Sequence, residues 1–435
     1  MSDTLQPTQL SIGGSLLVNY IMPLASSLLG RPVCIIDEAK ITKLFVTNKE
    51  IESVFGPQDQ ILNMVSLSIT ETNKAKFTPL GRFFRELELR KGAELRLSVM
   101  KYVIAHPEIQ KVQIKSPLVI LGLFRSGTTL LHRLLAQDPK ARAFKLWEMI
   151  SVYDEANPPP TEETYENHQN IAKAEQILNL AWWLFPNFLS EYRESHYAAA
   201  TEYDEEFSIL LTQGCDPSTP RALAMLRNQP FMLQANLYMK RFFQMMLFGF
   251  PTRTHLVLKF PGRCDSLPAF VSVFPDARFV TINRDVRQVV PSATLLMYRS
   301  ISNKLEANSV NACEFGEGAL KHAVGMTRSL AAFRGLVAAN NVKLMSNLGL
   351  DQSMKDHNVS PSQFIDIEYT DLISDPINVV HRIYSYFGMT VSEEFEAAMK
   401  MYLLENPNGK HVKSKVDANA MFGFTEDSIM AAFEE

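Results

Sequence analysis

The chain has 435 residues, 46% hydrophobic and 21% charged, which is ordinary globular composition for one large domain with a helical extension, or for two domains. A net charge of −4 and a pI near 6.2 argue against general nucleic-acid binding, so any anion site has to be built from a few local basic residues. Cys34, Cys215, Cys264 and Cys313 are far apart with no C-x-x-C pair; this speaks against a metal site or a disulfide framework and predicts core thiols in a reducing, cytoplasmic setting.

Residues 11–30 are apolar at Leu16, Leu17, Val18, Ile21, Met22, Leu24, Leu28 and Leu29, but Asn19 and Pro23 interrupt them and no basic residue precedes them. They make a poor signal peptide and fall short of the ~20 apolar residues of a membrane span. A packed helix or a surface-lying segment is expected, the latter giving weak membrane-surface contact and a membrane-associated protein as the alternative setting. Residues 1–110 read as a mainly helical extension, with a helix over Leu87–Ile104, and carry no chemical motif. They are expected to pack against a domain spanning 111–435 and to cover its substrate entrance.

The most informative stretch runs from Pro117 through Val119, Ile120, Gly122, Arg125, Ser126, Gly127, Thr128 and Thr129 into Leu130, Leu131, Leu134 and Leu135. A buried strand, a tight loop and a helix start are predicted, and the free N–H groups of such a helix start suit a phosphate. A nucleoside-triphosphate loop reads G-x-x-x-x-G-K-[ST]. Here Gly122 and Gly127 keep the glycine spacing, but Thr128 stands where the lysine belongs, and the cation has moved to Arg125. A nucleotide kinase or NTPase would need that lysine and a magnesium-binding acid.

Residues 161–250 read as helices rich in large apolar groups, among them Trp182, Trp183, Phe207, Phe231, Phe242, Phe243 and Phe248. Most belong to a core, and a few are candidates for an apolar acceptor pocket. A second strand, 255–261, carries Lys259 at its end. A helix over about 265–274 follows, then a third strand over 278–283. Arg284 leaves that strand, and Ser292 lies two turns into the next helix. A fourth strand, 364–369, ends in Tyr369. Strands alternating with helices predict an α/β fold with a parallel sheet covered on both faces, the carboxyl ends of its strands binding the ligand.

Phe124-Arg125-Ser126-Gly127-Thr128-Thr129 resembles the 5′-phosphosulfate loop of sulfotransferases that use 3′-phosphoadenylyl sulfate (PAPS), and Arg284 with Ser292 resembles their 3′-phosphate element. The resemblance covers about 115–425 and implies a P-loop-like fold, PAPS as cofactor and no metal. It also implies transfer to a hydroxyl, or an amine, of a small-molecule acceptor. It places Arg125, Ser126, Gly127, Thr128, Thr129, Arg284 and Ser292 on the phosphates and Tyr369 near the adenine. Lys410, in Asn406–Lys413, falls in a closing basic loop, with His411 and Lys413 as weaker contacts. Lys259, beside Arg125, matches the cation that stabilises the leaving oxygen. Glu148 resembles the base of the tyrosylprotein branch, although there the acid sits about two residues earlier. Cytosolic members use a His just after the lysine, and here Pro261-Gly262-Arg263 has none, so His196 and Glu202 stand in reserve. The aromatic segment leans toward a sterol-like or lipid-like acceptor. A non-catalytic nucleotide-binding member is the other alternative, which Lys259 disfavours.

Overall fold

The structure, a computed structural model, describes residues 35–184, 199–215, 224–302, 304–306, 309–340, 359–407 and 416–434, with isolated positions 21, 24, 28 and 221. From residue 35 on, the described chain begins with the helices α1 (Glu38–Thr42), α2 (Lys49–Phe55), α3 (Asp59–Lys74) and α4 (Pro79–Ala105). Side chains of Asp37, Asn48 and Thr78 cap α1, α2 and α4, and Pro79 opens α4 where its missing N–H costs nothing.

The sheet follows. Strand β1 (Leu118–Gly122) leads into α5 (Thr128–Leu135), and then come β2 (Ala141–Arg142), α6 (Leu146–Met149), α7 (Gln169–Leu184), α8 (Phe207–Leu211) and α9 (Gln229–Phe248). Strand β3 (His255–Lys259), α10 (Leu267–Val271), β4 (Arg278–Asn283), α11 (Val286–Ser302) and α12 (Ala312–Ala338) precede β5 (Phe364–Glu368). The described chain ends with α13 (Tyr369–Ser374), α14 (Pro376–Tyr386), α15 (Glu393–Glu405), α16 (Ala418–Phe422) and α17 (Glu426–Glu434).

All pairings in the sheet are parallel and the order is β2-β3-β1-β4-β5. Every residue of β1 and β3 is buried, as expected of strands covered on both faces. The side-chain period of two sorts them. Val119, Leu121, Leu256, Leu258 and Phe279 join one cluster with Phe55, Met64 and Val99 of the first helices and Phe231, Phe242 and Phe243 of α9. Leu118, Ile120, Val257, Val280 and Ile282 join the other with Leu131 and Leu134 of α5, Val380 of α14 and Phe395 of α15. The α/β reading therefore holds, and the N-terminal helices supply part of the cover on one face.

The structure corrects two boundaries and the placing of one cysteine. The chain between β3 and α10 is a short 3-10 turn, Pro261–Asp265, so the helix expected from 265 begins at Leu267. Strand β5 stops at Glu368, and Tyr369 opens a helix. Cys215 and Cys264 are buried, and burial pushes the Cys264 thiol up to about 12, but Cys313 is exposed in the first turn of α12 and is no core thiol. Cys34 and most of residues 11–30 lie outside the described residues.

Candidate active site

The order of the strands puts β1 between β3 and β4, so the chain leaves β1 with a neighbour on each side. The register pairs Ile120 with Lys259 and Gly122 with Ile282. The loop after β1, the end of β3 and the end of β4 thus meet at one edge of the sheet, where open α/β folds bind ligands.

The loop is tightly specified. Gly122 has φ 141°, and a Cβ there would lie 2.8 Å from Ser126 Oγ and 2.9 Å from the Ile282 carbonyl oxygen. Arg125 holds φ 70°, a left-handed conformation that costs a non-glycine residue roughly 1–2 kcal/mol. Two contacts hold it there: its Nε donates to Ser292 Oγ at 3.3 Å, and Arg284 Nη1 donates to its carbonyl oxygen at 2.8 Å. Gly127, at φ 98°, precedes α5 and offers no side-chain cap, so the first-turn N–H groups are left for an outside acceptor. Ser126 Oγ is buried without a hydrogen-bond partner.

Arg284 stacks on Tyr369, its guanidinium carbon 4.0 Å from the ring centroid. Tyr369 in turn closes against the loop: a Cβ on Gly127 would meet its ring at 2.9 Å. Burial, and then the nearby Arg284 charge, lower the pKa of Arg125. Arg125, Gly127, Arg284, Ser292 and Tyr369 are therefore one cluster of cations, hydroxyl and ring around a helix start. Lys410, His411, Lys413 and His196 lie outside the described residues.

Lys259 is 4% exposed. Its backbone N–H donates to Glu206 Oε2 at 2.9 Å, and its Nζ lies 3.3 Å from Glu205 Oε1. Arg263 is fully buried against Glu206 at 2.6 Å, donates to Asn236 Oδ1 at 3.1 Å and stacks on Phe270 at 4.1 Å. It serves as a structural ion pair.

Glu148 is fully buried on α6. Its Oε1 pairs with Arg142 Nη2. Its Oε2 accepts from Lys145 N at 2.8 Å, Tyr165 OH at 3.0 Å and Arg142 Nη1 at 3.2 Å. Burial works against the Arg142 charge, but Glu148 outweighs it and the pKa of Arg142 rises. Glu202 is tied to Arg133 of α5 at 2.9 Å.

Glu205, Glu206 and His132 had drawn no attention in the sequence. Asp204, Glu205 and Glu206 are three consecutive acids in the chain, and the basic partners of Glu205 and Glu206 lie more than fifty residues away. His132, fully buried on α5, has its pKa pushed well below the usual 6.5 by burial and then by Lys259 and Arg133, and its Nδ1 lacks a partner.

Comparison with known proteins gives a consistent answer. A model described as "Sulfotransferase family" matches residues 117–393. Omega-hydroxy-beta-dihydromenaquinone-9 sulfotransferase Stf3, from Mycobacterium bovis and from Mycobacterium tuberculosis, is 24% identical over 322 residues, 71% of this chain and 72% of that protein. Among solved structures, sulfotransferase STF9 from Mycobacterium avium superposes with a TM-score of 0.72 at 21% identity, covering 91% of this chain and 94% of that one. STF1 from Mycobacterium tuberculosis H37Rv does so at 0.65 and 24%, over 91% and 96%. These two structures share this chain's fold.

Proposed function

The chain belongs to the sulfotransferase family, and from that premise we propose that it moves a sulfuryl group from PAPS to the hydroxyl of an apolar small molecule. The observation that carries the donor assignment is the Arg125–Arg284–Ser292 cluster at the start of α5. Two guanidiniums whose charges oppose each other, an orphaned Ser126 hydroxyl and uncapped N–H groups fit a ligand with phosphates at both ends.

In this reading the N–H groups of residues 126–129 and Arg125 hold the 5′-phosphosulfate. Arg284 and Ser292 hold the 3′-phosphate, Tyr369 lies along the adenine, and Lys410 closes over the nucleotide. The nucleotide supplies an activated sulfuryl group when bound. Lys259, with Arg125, stabilises the charge that grows on the leaving oxygen; one such preorganised donor is typically worth ~3–4 kcal/mol. Glu148 can serve as base only if its pair with Arg142 opens. A kinase reading has no support at Thr128.

For the acceptor, the partly exposed Phe207, next to Glu206 in the chain and stacked at 5.2 Å on the buried Phe260 that follows Lys259, offers apolar surface. Stf3 is named for a hydroxylated dihydromenaquinone, and we carry that class of acceptor, a hydroxyl on a lipid, here. Such an acceptor implies work at the cytoplasmic face of a membrane, toward which the exposed Ile21, Leu24 and Leu28 offer apolar contact. Among the described residues no helix is long and apolar enough to cross a membrane.

A thermal-shift comparison of 3′,5′-ADP, ADP and Mg-ATP tests the donor site. A ligand at about 100 times its Kd stabilises by ~2.7 kcal/mol, which is a rise of a few degrees for a chain of this size. A rise with 3′,5′-ADP alone supports the reading, and a rise with Mg-ATP alone overturns it.

A further inference from the structure

We propose that Glu205 takes the proton from the acceptor hydroxyl, an inference that rests on the sulfotransferase reading above. The segment carrying it is pinned along its length. Trp147 N donates to Ala200 O at 3.0 Å, Leu146 N to Glu202 O at 2.9 Å, and Asp204 N to Phe144 O at 3.1 Å. At its end Glu206 is locked to Arg263 and to the backbone of Lys259. Glu205 is therefore delivered to the carboxyl edge of the sheet by fixed neighbours on both sides.

The acids around the site differ in what holds them. Glu148, Glu202 and Glu206 are each paired with an arginine: Arg142 takes both oxygens of Glu148, Arg133 meets Glu202 Oε2, and Glu206 gives Oε1 to Arg263 and Oε2 to the Lys259 N–H. Glu205 is paired with Lys259 instead, through Oε1 alone. Its Oε2 is buried and has no hydrogen-bond partner. An oxygen in that condition, on the carboxylate whose other oxygen pairs with Lys259, is the unsatisfied acceptor that an incoming hydroxyl needs. Burial also raises the pKa of Glu205, against the pull of Lys259, which makes the carboxylate a better base. The other charged groups facing it are Asp204 and Glu206 on its own segment, and both push the same way. From the neighbouring elements, Lys259 also faces His132, which burial keeps neutral, and Arg263 is neutralised by Glu206.

The step balances as follows. The acceptor oxygen bonds to sulfur while its proton passes to Glu205 Oε2. The bond between sulfur and the 5′-phosphate oxygen breaks, its electron pair stays on that oxygen, and Lys259 Nζ faces the charge formed. The proton later leaves Glu205 for solvent.

The test uses the full chain, 35S-labelled PAPS and farnesol as probe acceptor, with label released to water as sulfate counted alongside. Glu205→Gln is expected to lower kcat by roughly 10²–10⁴-fold with 3′,5′-ADP affinity unchanged within about twofold. Glu205→Asp is expected to recover part of the loss. The wild-type rate should rise with pH through a group above the ordinary carboxylate range, and the residual rate of Glu205→Gln should lack that limb. If Glu205 merely steadied Lys259, kcat would fall but the limb would stay. Either that result or a Glu205→Gln kcat within about threefold of wild type overturns the proposal. A wild-type chain that binds 3′,5′-ADP yet releases no label to water or farnesol defeats the sulfotransfer reading itself, and the base falls with it.

Discussion

Replacing Arg284 with Ala separates a nucleotide site built for a 3′-phosphate from a general phosphate loop. The side chain has three contacts in the free protein: Nη1 to the Arg125 carbonyl at 2.8 Å, Nη2 to Gln288 at 3.1 Å, and its plane on Tyr369 at 4.0 Å. With 3′,5′-ADP bound, the variant loses a hydrogen bond to a charged group, about 1.5–3 kcal/mol, or roughly 10–150-fold in Kd. With 5′-AMP bound it loses only the brace on the Arg125 backbone, a neutral acceptor worth about 0.5–1.5 kcal/mol. Removing a like charge beside Arg125 offsets part of that loss. The expected result by titration calorimetry is a loss of at least tenfold for 3′,5′-ADP and within about fivefold for 5′-AMP. Equal losses for the two nucleotides would refute the reasoning, because Arg284 would then act only through the loop.

Gly127→Ala should cost ~1–2 kcal/mol for the left-handed backbone and ~1–3 kcal/mol for displacing the Tyr369 ring, seen as a melting temperature lower by several degrees and lost 3′,5′-ADP binding; an unchanged melt would show that the loop is not tightly packed. Glu148→Gln should destabilise by ~3–5 kcal/mol, because it leaves Arg142 buried and unpaired, whereas replacing both by Met should recover most of that in urea denaturation. Turnover per folded Glu148→Gln molecule then separates a base from a structural acid. Buried His132, His168, His255 and His322 all have pKa values below 6.5, chiefly through burial. The unfolded chain binds more protons than the folded one as pH falls through 6.5, so stability should drop there, by at most ~1.4 kcal/mol per residue per pH unit. His106, raised by its bond to Glu155, works the other way but lies near the surface. A urea midpoint equal at pH 7.5 and 5.5 would contradict the burial of these rings.

The parallel sheet was legible, and so was the meeting of Arg125, Arg284, Ser292 and Tyr369 at one of its edges, because each piece is local. An apolar run ending in Gly122, a Lys after a strand, and an Arg and a Ser eight residues apart at a helix start are short-range patterns with a direct physical sense. Strand β2 was not legible: two residues, Ala141 and Arg142, carry no periodicity, and they pair only because His255 and Leu256 lie alongside. The state of the acids was not legible either. Glu148, Glu202, Glu205 and Glu206 look alike in the chain, and only tertiary partners divide them into carboxylates locked by arginine and one held by lysine. The N-terminal helices could be predicted as helices. Their joining the same apolar cluster as Val119 and Phe279 depends on faces that a partly amphipathic pattern does not reveal.

That division among the acids bears on timing at the reaction centre. An ammonium 3.3 Å from a carboxylate is partly neutralised: the gross attraction is ~5 kcal/mol at an effective dielectric of ~20. In the resting site, then, Lys259 offers little of its charge to an anion, and water beside it gains little activation. If Glu205 is the base proposed above, its charge is gone once it accepts the proton, and the field of Lys259 then acts on the leaving oxygen. Proton removal and leaving-group stabilisation would thereby be coupled through one ion pair, with the charge released only when a hydroxyl has been deprotonated. On that proposal the lysine at the end of β3 and the unpartnered Glu205 oxygen act as two halves of one device.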